Sequence, residues 1–219
     1  MVSGKYKASN HYTREIFIAM GKKSFSKSFT KIAIGVVILL MVGLFSYCSV
    51  IHHYGPYHGK VVDIETNDPI EGAAVLAVYY TQQYTFAGAV HHYLDAQETL
   101  TDEKGEFTIP ALTCLTFRPL NSFDSWPAFT IFKPGYGCFP RHAGTTSTGI
   151  NEQWLRPGEH ELVKLPRLKA LEERRRNCRC IPTSVPDDKM KHFLYLRDLE
   201  RMNLGLQPIF IKKRNRNNE

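Results

Sequence analysis

The chain has 219 residues and a mass of 25.1 kDa, room for one ordinary domain with appendages or two small ones. At 43 % hydrophobic and 22 % charged residues it is neither a disordered chain nor a multi-span membrane protein. Its 28 Lys and Arg against 21 Asp and Glu leave a formal +7, but the sign alternates: net +6 over residues 1–51, −6 over 52–166 and +7 over 167–219, which argues against one uniform globule.

Residues 1–31 form a basic segment that brings Lys22, Lys23, Lys27 and Lys31 close to its end. Residues 32–51 (IAIGVVILLMVGLFSYCSVI) follow as twenty residues without a charge. As a helix rising about 1.5 Å per residue, such a run covers the roughly 30 Å hydrocarbon core of a bilayer. Tyr47 within it, and Tyr54 and Tyr57 just beyond, suit a membrane–water interface. Only Lys60 lies within the next fifteen residues, so the N-terminus is expected in the cytoplasm and everything after residue 51 outside it. The long basic stretch before the run and the lack of a small-x-small site after it predict an uncleaved signal anchor. Cys48 invites a lipoprotein reading, but Tyr47 before it is too large for that processing. The expected setting is a single pass through a bacterial inner membrane, with a periplasmic C-terminal domain.

From Tyr57 the pattern becomes an alternation interrupted by turns. Residues 59–64 (GKVVDI) read as a strand, 66–69 (TNDP) as a turn and 70–80 (IEGAAVLAVYY) as a longer strand. Residues 99–101 and 106–109 read as a hairpin around 102–105 (DEKG), with Gly105 in the left-handed turn position. Residues 128–133 and 161–165 supply further strands. Short strands with regular turns and no sustained 3.6-residue period predict a mainly β sandwich or barrel over 57–166.

The string GKVVDIETNDPIEGAAVLA, then LTDEKGEFTIPAL, then FKPGY resembles the carboxypeptidase regulatory-like domain. That resemblance implies a seven-stranded prealbumin-like (Ig-like) β-sandwich that stabilises, presents or binds, without peptidase chemistry. In this frame Gly72-Ala73 allows two backbones to approach, Phe107 and Ile109 point inward, and Tyr136 closes one end. The spacer 81–98 (TQQYTFAGAVHHYLDAQE) is longer than such domains need and reads as a surface loop, the place for a specialised surface. His91, His92 and Tyr93 within it are candidate binding residues.

Cys114, Cys138, Cys178 and Cys180 are an even set on the exported side, where disulfides persist. Both Cys114 and Cys138 follow strands, which favours their pairing. Cys178-Arg179-Cys180 is then left to a local disulfide, a second chain, a metal, or nothing. Paired histidines make an iron-dependent enzyme of the intradiol dioxygenase type conceivable, and residues 129–140 (FTIFKPGYGCFP) are loosely similar to a tyrosine-bearing segment of those enzymes. The downstream His-x-His that would complete the site is missing. No nucleophile elbow, P-loop, dinucleotide fingerprint or HExxH occurs. No catalytic residue, metal or cofactor is therefore expected.

After Pro166 the composition turns to Arg, Lys and Glu. Residues 167–177 suggest a short helix with solvated arginines, 181–186 (IPTSVP) a linker, and 187–204 a longer helix ended by Gly205 and Pro208. Its wide apolar face is expected to pack on the sandwich or on a partner, with Phe193 and Arg197 as candidate contacts. The expected partners are another envelope protein or an anionic envelope polymer, not nucleic acid. A purely structural role in a larger envelope assembly is the alternative.

Overall fold

A computed structural model describes residues 29–42, 51–115, 121–150, 154–182 and 184–211. The chain divides into two units, Met1–Cys48 and Ser49–Glu219. In the first, residues 29–42 are helical (α1). No helix among the described residues is long and apolar enough to cross a membrane. Of the run read as a span, residues 43–50 lie outside the described residues, and its last residue, Ile51, opens a β-strand instead.

The second unit is mainly β. Its strands are β1 (Ile51–Tyr54), β2 (Tyr57–Asp63), β3 (Ala74–Thr85), β4 (Gly88–Leu100), β5 (Glu106–Ile109), β6 (Leu112–Leu115), β7 (Asn121–Phe123), β8 (Ala128–Phe132), β9 (Thr146–Ser147) and β10 (His160–Leu165). One sheet has the order β5-β2-β10-β9, with β2 and β10 parallel. In the other, β4 lies along one edge of β3, while β8 and then β7 share its opposite edge. A two-stranded ribbon joins β1 to β6.

β3 organises both hydrophobic cores. Side chains alternate across a strand, and Val75, Ala77 and Tyr79 enter the core shared with Val61, Phe107, Ile109, Val163 and Leu165 of the facing sheet. Ala74, Leu76 and Val78 point the other way, into a second core with Phe132, Met190, Phe193 and Leu194. Burial on both faces is why this stretch reads as a continuous apolar run. Phe107 and Ile109 are inward, as expected, and Tyr136 packs at the edge of the first core.

The turn at 102–105 forms as expected, but the strands it joins are not a hairpin. β4 pairs with β3 and β5 with β2, so the turn carries the chain from one sheet to the other. Asp102 Oδ1 accepts the N–H groups of Lys104 (2.9 Å) and Glu106 (2.8 Å), an Asx arrangement that holds such turns. Gly105 has φ +74°, and a Cβ there would sit 2.5 Å from the Val61 carbonyl oxygen. Gly105→Ala is accordingly expected to lower stability by about 1–3 kcal/mol, read as a lower urea midpoint at unchanged slope. The close backbone approach expected at Gly72-Ala73 is found instead at Gly59, where a Cβ would meet the Glu161 carbonyl oxygen at 2.5 Å and Phe107 Cζ at 2.7 Å.

Glu161 in β10 is a carboxylate with 1 % of its side chain exposed. Arg156 donates to it from Nε at 2.8 Å and from its backbone N–H at 3.3 Å, and the Thr148 hydroxyl donates a further bond. Burial pushes its pKa up, but these donors outweigh burial and hold it below the ordinary glutamate value. A depressed carboxylate stabilises above its unfolded pKa, and that contribution is lost as pH falls through the folded one. Glu161→Gln should therefore separate from the parent most in neutral thermal melts and converge with it in acid below the ordinary glutamate range. A constant gap across that acid range would refute the linkage.

The disulfide differs from the expected Cys114–Cys138 pair: Cys138 bonds Cys180, and Cys114 and Cys178 are free and buried. Cys114 belongs to the core between the sheets and Cys138 to the core on the other face of β3, so the sheet itself separates them. Asn177 brings the true partner close, accepting the Cys138 N–H at 2.8 Å and donating to the Tyr136 carbonyl at 2.8 Å.

The tail is part of this second core. α2 (Leu171–Asn177) leads through a 3₁₀ turn (Asp187–Lys189) to α3 (Lys191–Asn203), which packs against β3, β4 and β8. The segment read as a linker contributes Ile181 and Val185 to the core. Glu98 of β4 accepts the N–H groups of His192 (2.9 Å) and Phe193 (2.6 Å), capping α3 from a distant part of the chain. The buried Asp198 carboxylate accepts the N–H groups of Ile209, Phe210 and Ile211 at 2.6–3.0 Å and holds the chain that follows α3.

Candidate binding surface

The spacer expected as a loop is an extended hairpin. β3 and β4 pair from Ala74↔Leu100 to Thr85↔Gly88, with a register shift at Tyr79/Tyr80. Among the described residues, the other edge of β3 is paired as far as Gln83, the partner of Asn121 in β7. Beyond it no described strand pairs with that edge. The Thr85 hydroxyl donates to the Gly88 carbonyl at 2.7 Å and closes the turn. Tyr84 is 68 % exposed, Phe86 fully exposed and Val90 45 % exposed. No Asp, Glu, Lys or Arg occurs from residue 81 to 94.

At the base of the projection, His91 Nδ1 lies 2.9 Å from Asp124 Oδ2, and the backbone oxygen of Asp124 accepts the Tyr54 hydroxyl at 2.7 Å. His92 Nε2 is 3.4 Å from Gln83 Oε1. Tyr93 packs at the edge of the second core, and its buried hydroxyl has no hydrogen-bond partner among the described residues. Burial first, then the neighbouring Asp95 carboxylate, pushes that hydroxyl's pKa up. Asp95 itself holds Lys189 at 2.8 Å. These three candidates thus lie in β4, not in a loop. The outer edge of β4 pairs with no strand among the described residues.

Phe193 and Arg197 are not part of that surface. Phe193 is fully buried against Phe132, ring centroids 5.4 Å apart. Arg197 is 6 % exposed and reaches Asp198 Oδ1 at 3.4 Å. The apolar face of α3 has its seat on the second face of β3, which a reading of the helix alone does not reveal. Nor do the remaining cysteines offer a reactive pair. Cys180 is already bonded, and burial raises the pKa of the Cys178 thiol, leaving a weaker nucleophile at neutral pH.

Away from the hairpin, a concavity of about 310 Å³ is lined by Arg141, His142, Glu173, Arg176, Asn177 and Cys180. Its exposed arginines flank a His142–Glu173 contact of 3.1 Å. Sequence reading passed over Arg141 and Arg176 because they are 35 residues apart; the disulfide and Asn177 bring their segments together. Among the described residues no three His, Cys, Asp or Glu side chains converge as a metal site would need.

No protein-family model, curated protein or solved structure matches this chain. The surface is therefore read from its own geometry.

Proposed function

We propose that this protein is a membrane-anchored, non-catalytic β-sandwich module of the carboxypeptidase regulatory-like, prealbumin-like type, presented outside the cytoplasm, where it docks a partner protein of the cell envelope. The observation that carries the docking reading is the long hairpin whose outer strand, β4, has an edge at His91–Tyr93 that pairs with no strand among the described residues. An open edge of this kind accepts an added strand through main-chain hydrogen bonds. The twenty-residue uncharged run with its flanking lysines supports the anchor. The Cys138–Cys180 bond is consistent with an oxidising compartment. The three quoted motifs, together with two sheets that share one core, support the family assignment.

Cross-linked co-purification from native membranes tests this. The full chain is compared with one carrying His91→Pro: the pairs 85/88, 83/90 and 81/92 are the hydrogen-bonded ones across this two-residue turn, so the His91 N–H faces the outer edge of β4 and is the donor removed. Loss of a specific partner in the variant supports docking at that edge, and equal recovery from both moves the site elsewhere. Truncating at Pro166 would be a poor comparison, since it removes Cys180, Phe193 and Leu194 from the second core. A second reading, an anionic envelope polymer, is favoured by the paired arginines of the concavity. It requires Arg141→Glu/Arg176→Glu to abolish retention on such a polymer.

A further inference from the structure

Five of the exposed apolar side chains of the β unit, Ile51, Leu115, Tyr84, Phe86 and Val90, lie toward one end of it. β1 and β3 run in opposite senses there: Tyr54 packs on Tyr79 at 4.8 Å, whereas His52, two residues earlier, stacks on Phe123 at 5.2 Å. Phe123 is the register partner of Thr81. Moving back along β1 is thus moving forward along β3, and Ile51 lies toward the hairpin tip. Ile51 is 59 % exposed and its register partner Leu115 is 72 % exposed. Past them the hairpin continues to Phe86, three residues beyond Gln83, or about 10 Å at the usual rise of a strand.

We propose that the tip of this hairpin, residues 84–90, is a second membrane contact that seats Tyr84, Phe86 and Val90 in the lipid interface at the end of the domain where the chain enters it. The inference rests on the anchor reading. The uncharged run ends at Ile51, the first residue of β1, so the β unit is tethered to that run at its Ile51 end. The composition of the tip suits the interface: Tyr84 has a polar handle, Phe86 and Val90 are apolar, and no carboxylate faces anionic head groups. A reach of about 10 Å matches the 5–10 Å to which interfacial elements bury their apolar faces. The opposite end of the same hairpin leads into the charged 102–104 turn (DEK), which no bilayer would favour.

The test uses the full chain reconstituted in phosphatidylcholine–phosphatidylglycerol vesicles with brominated acyl chains. Three variants, L40W, F86W and K104W, each add one tryptophan at an exposed position, and the added emission is the difference from the parent chain. The proposal expects L40W and F86W to lose most of their added emission to the bromines, and K104W to keep it. Quenching of L40W without F86W overturns the hairpin contact and leaves the anchor standing. No quenching of L40W overturns the anchor and the contact with it. An F86W blue shift that grows with protein density but is not quenched means that another protein or a second copy covers the tip, which also overturns the proposal.

Discussion

Arg174→Ala is expected to destabilise the protein by about 3 kcal/mol, the lower end of the range for stranding one member of a buried ion pair. Glu200 has 1 % of its side chain exposed, and its two oxygens receive Arg174 Nε at 2.8 Å and Nη2 at 2.7 Å. The forked geometry makes this the strong kind of pair. The arginine side chain is 22 % exposed, so water already screens part of the interaction, which places the effect at the lower end. Removing the arginine leaves a carboxylate on α3 with its charge uncompensated beneath α2. The double substitution Arg174→Met/Glu200→Leu removes both charges and should recover most of the loss, because such pairs contribute little net stability over apolar packing. Thermal and urea unfolding of the three chains decide it. A loss under about 1 kcal/mol for Arg174→Ala would put this pair with ordinary surface salt bridges.

Removing the Cys138–Cys180 bond should cost about 4 kcal/mol in the chain-entropy model, given the 42-residue separation it closes. The bond ties the chain after α2 to the bridge region that follows β8, so its loss frees α2, α3 and the turn between them together. Cys138→Ala/Cys180→Ala is the direct comparison, with Cys114→Ala as its counterpart. If Cys114 were bonded to Cys138, its substitution would be as costly as the double variant and would disturb the same loop. With Cys114 a free, buried thiol in the core between the sheets, Cys114→Ala should cost only the packing of one small side chain, about 1 kcal/mol. Peptide mapping without reductant identifies the bonded pair independently.

Features set by neighbours along the chain were legible in the sequence. The alternation in β2 and β5, the Asx turn from Asp102 to Gly105, and the end of the last helix near Gly205 all depend on contacts within a few residues. Gly205 has φ +72°, as a residue ending a helix often does. The helix expected over 187–204 divides at Met190, whose φ of −139° separates the 3₁₀ turn from α3. That division is tertiary: Met190 is drawn into the second core, and Glu98 of β4 supplies the cap that the local sequence lacks.

The candidate surface was half legible. His91, His92 and Tyr93 were singled out because their segment is longer than the resembled domains need. The strand they form was hidden because its outer half carries no buried alternation. Phe193 and Arg197 misled for the opposite reason: an amphipathic helix states that one face will be covered, not by what.

By itself, then, the sequence determined the local units of this protein: where strands and turns fall near 57–64 and 102–109, where the last helix ends, and the uncharged run that precedes the domain. Only the tertiary structure decided how those units combine: β5 with β2 and not β4, Cys138 with Cys180 and not Cys114, α3 on the sheet and not on a partner. The physical reason lies in β3. Both of its faces are apolar, and a one-dimensional pattern cannot say which face meets which neighbour. Once one face takes the opposing sheet and the other takes α3, the side of the sheet on which each cysteine, arginine and aromatic ring ends up is settled.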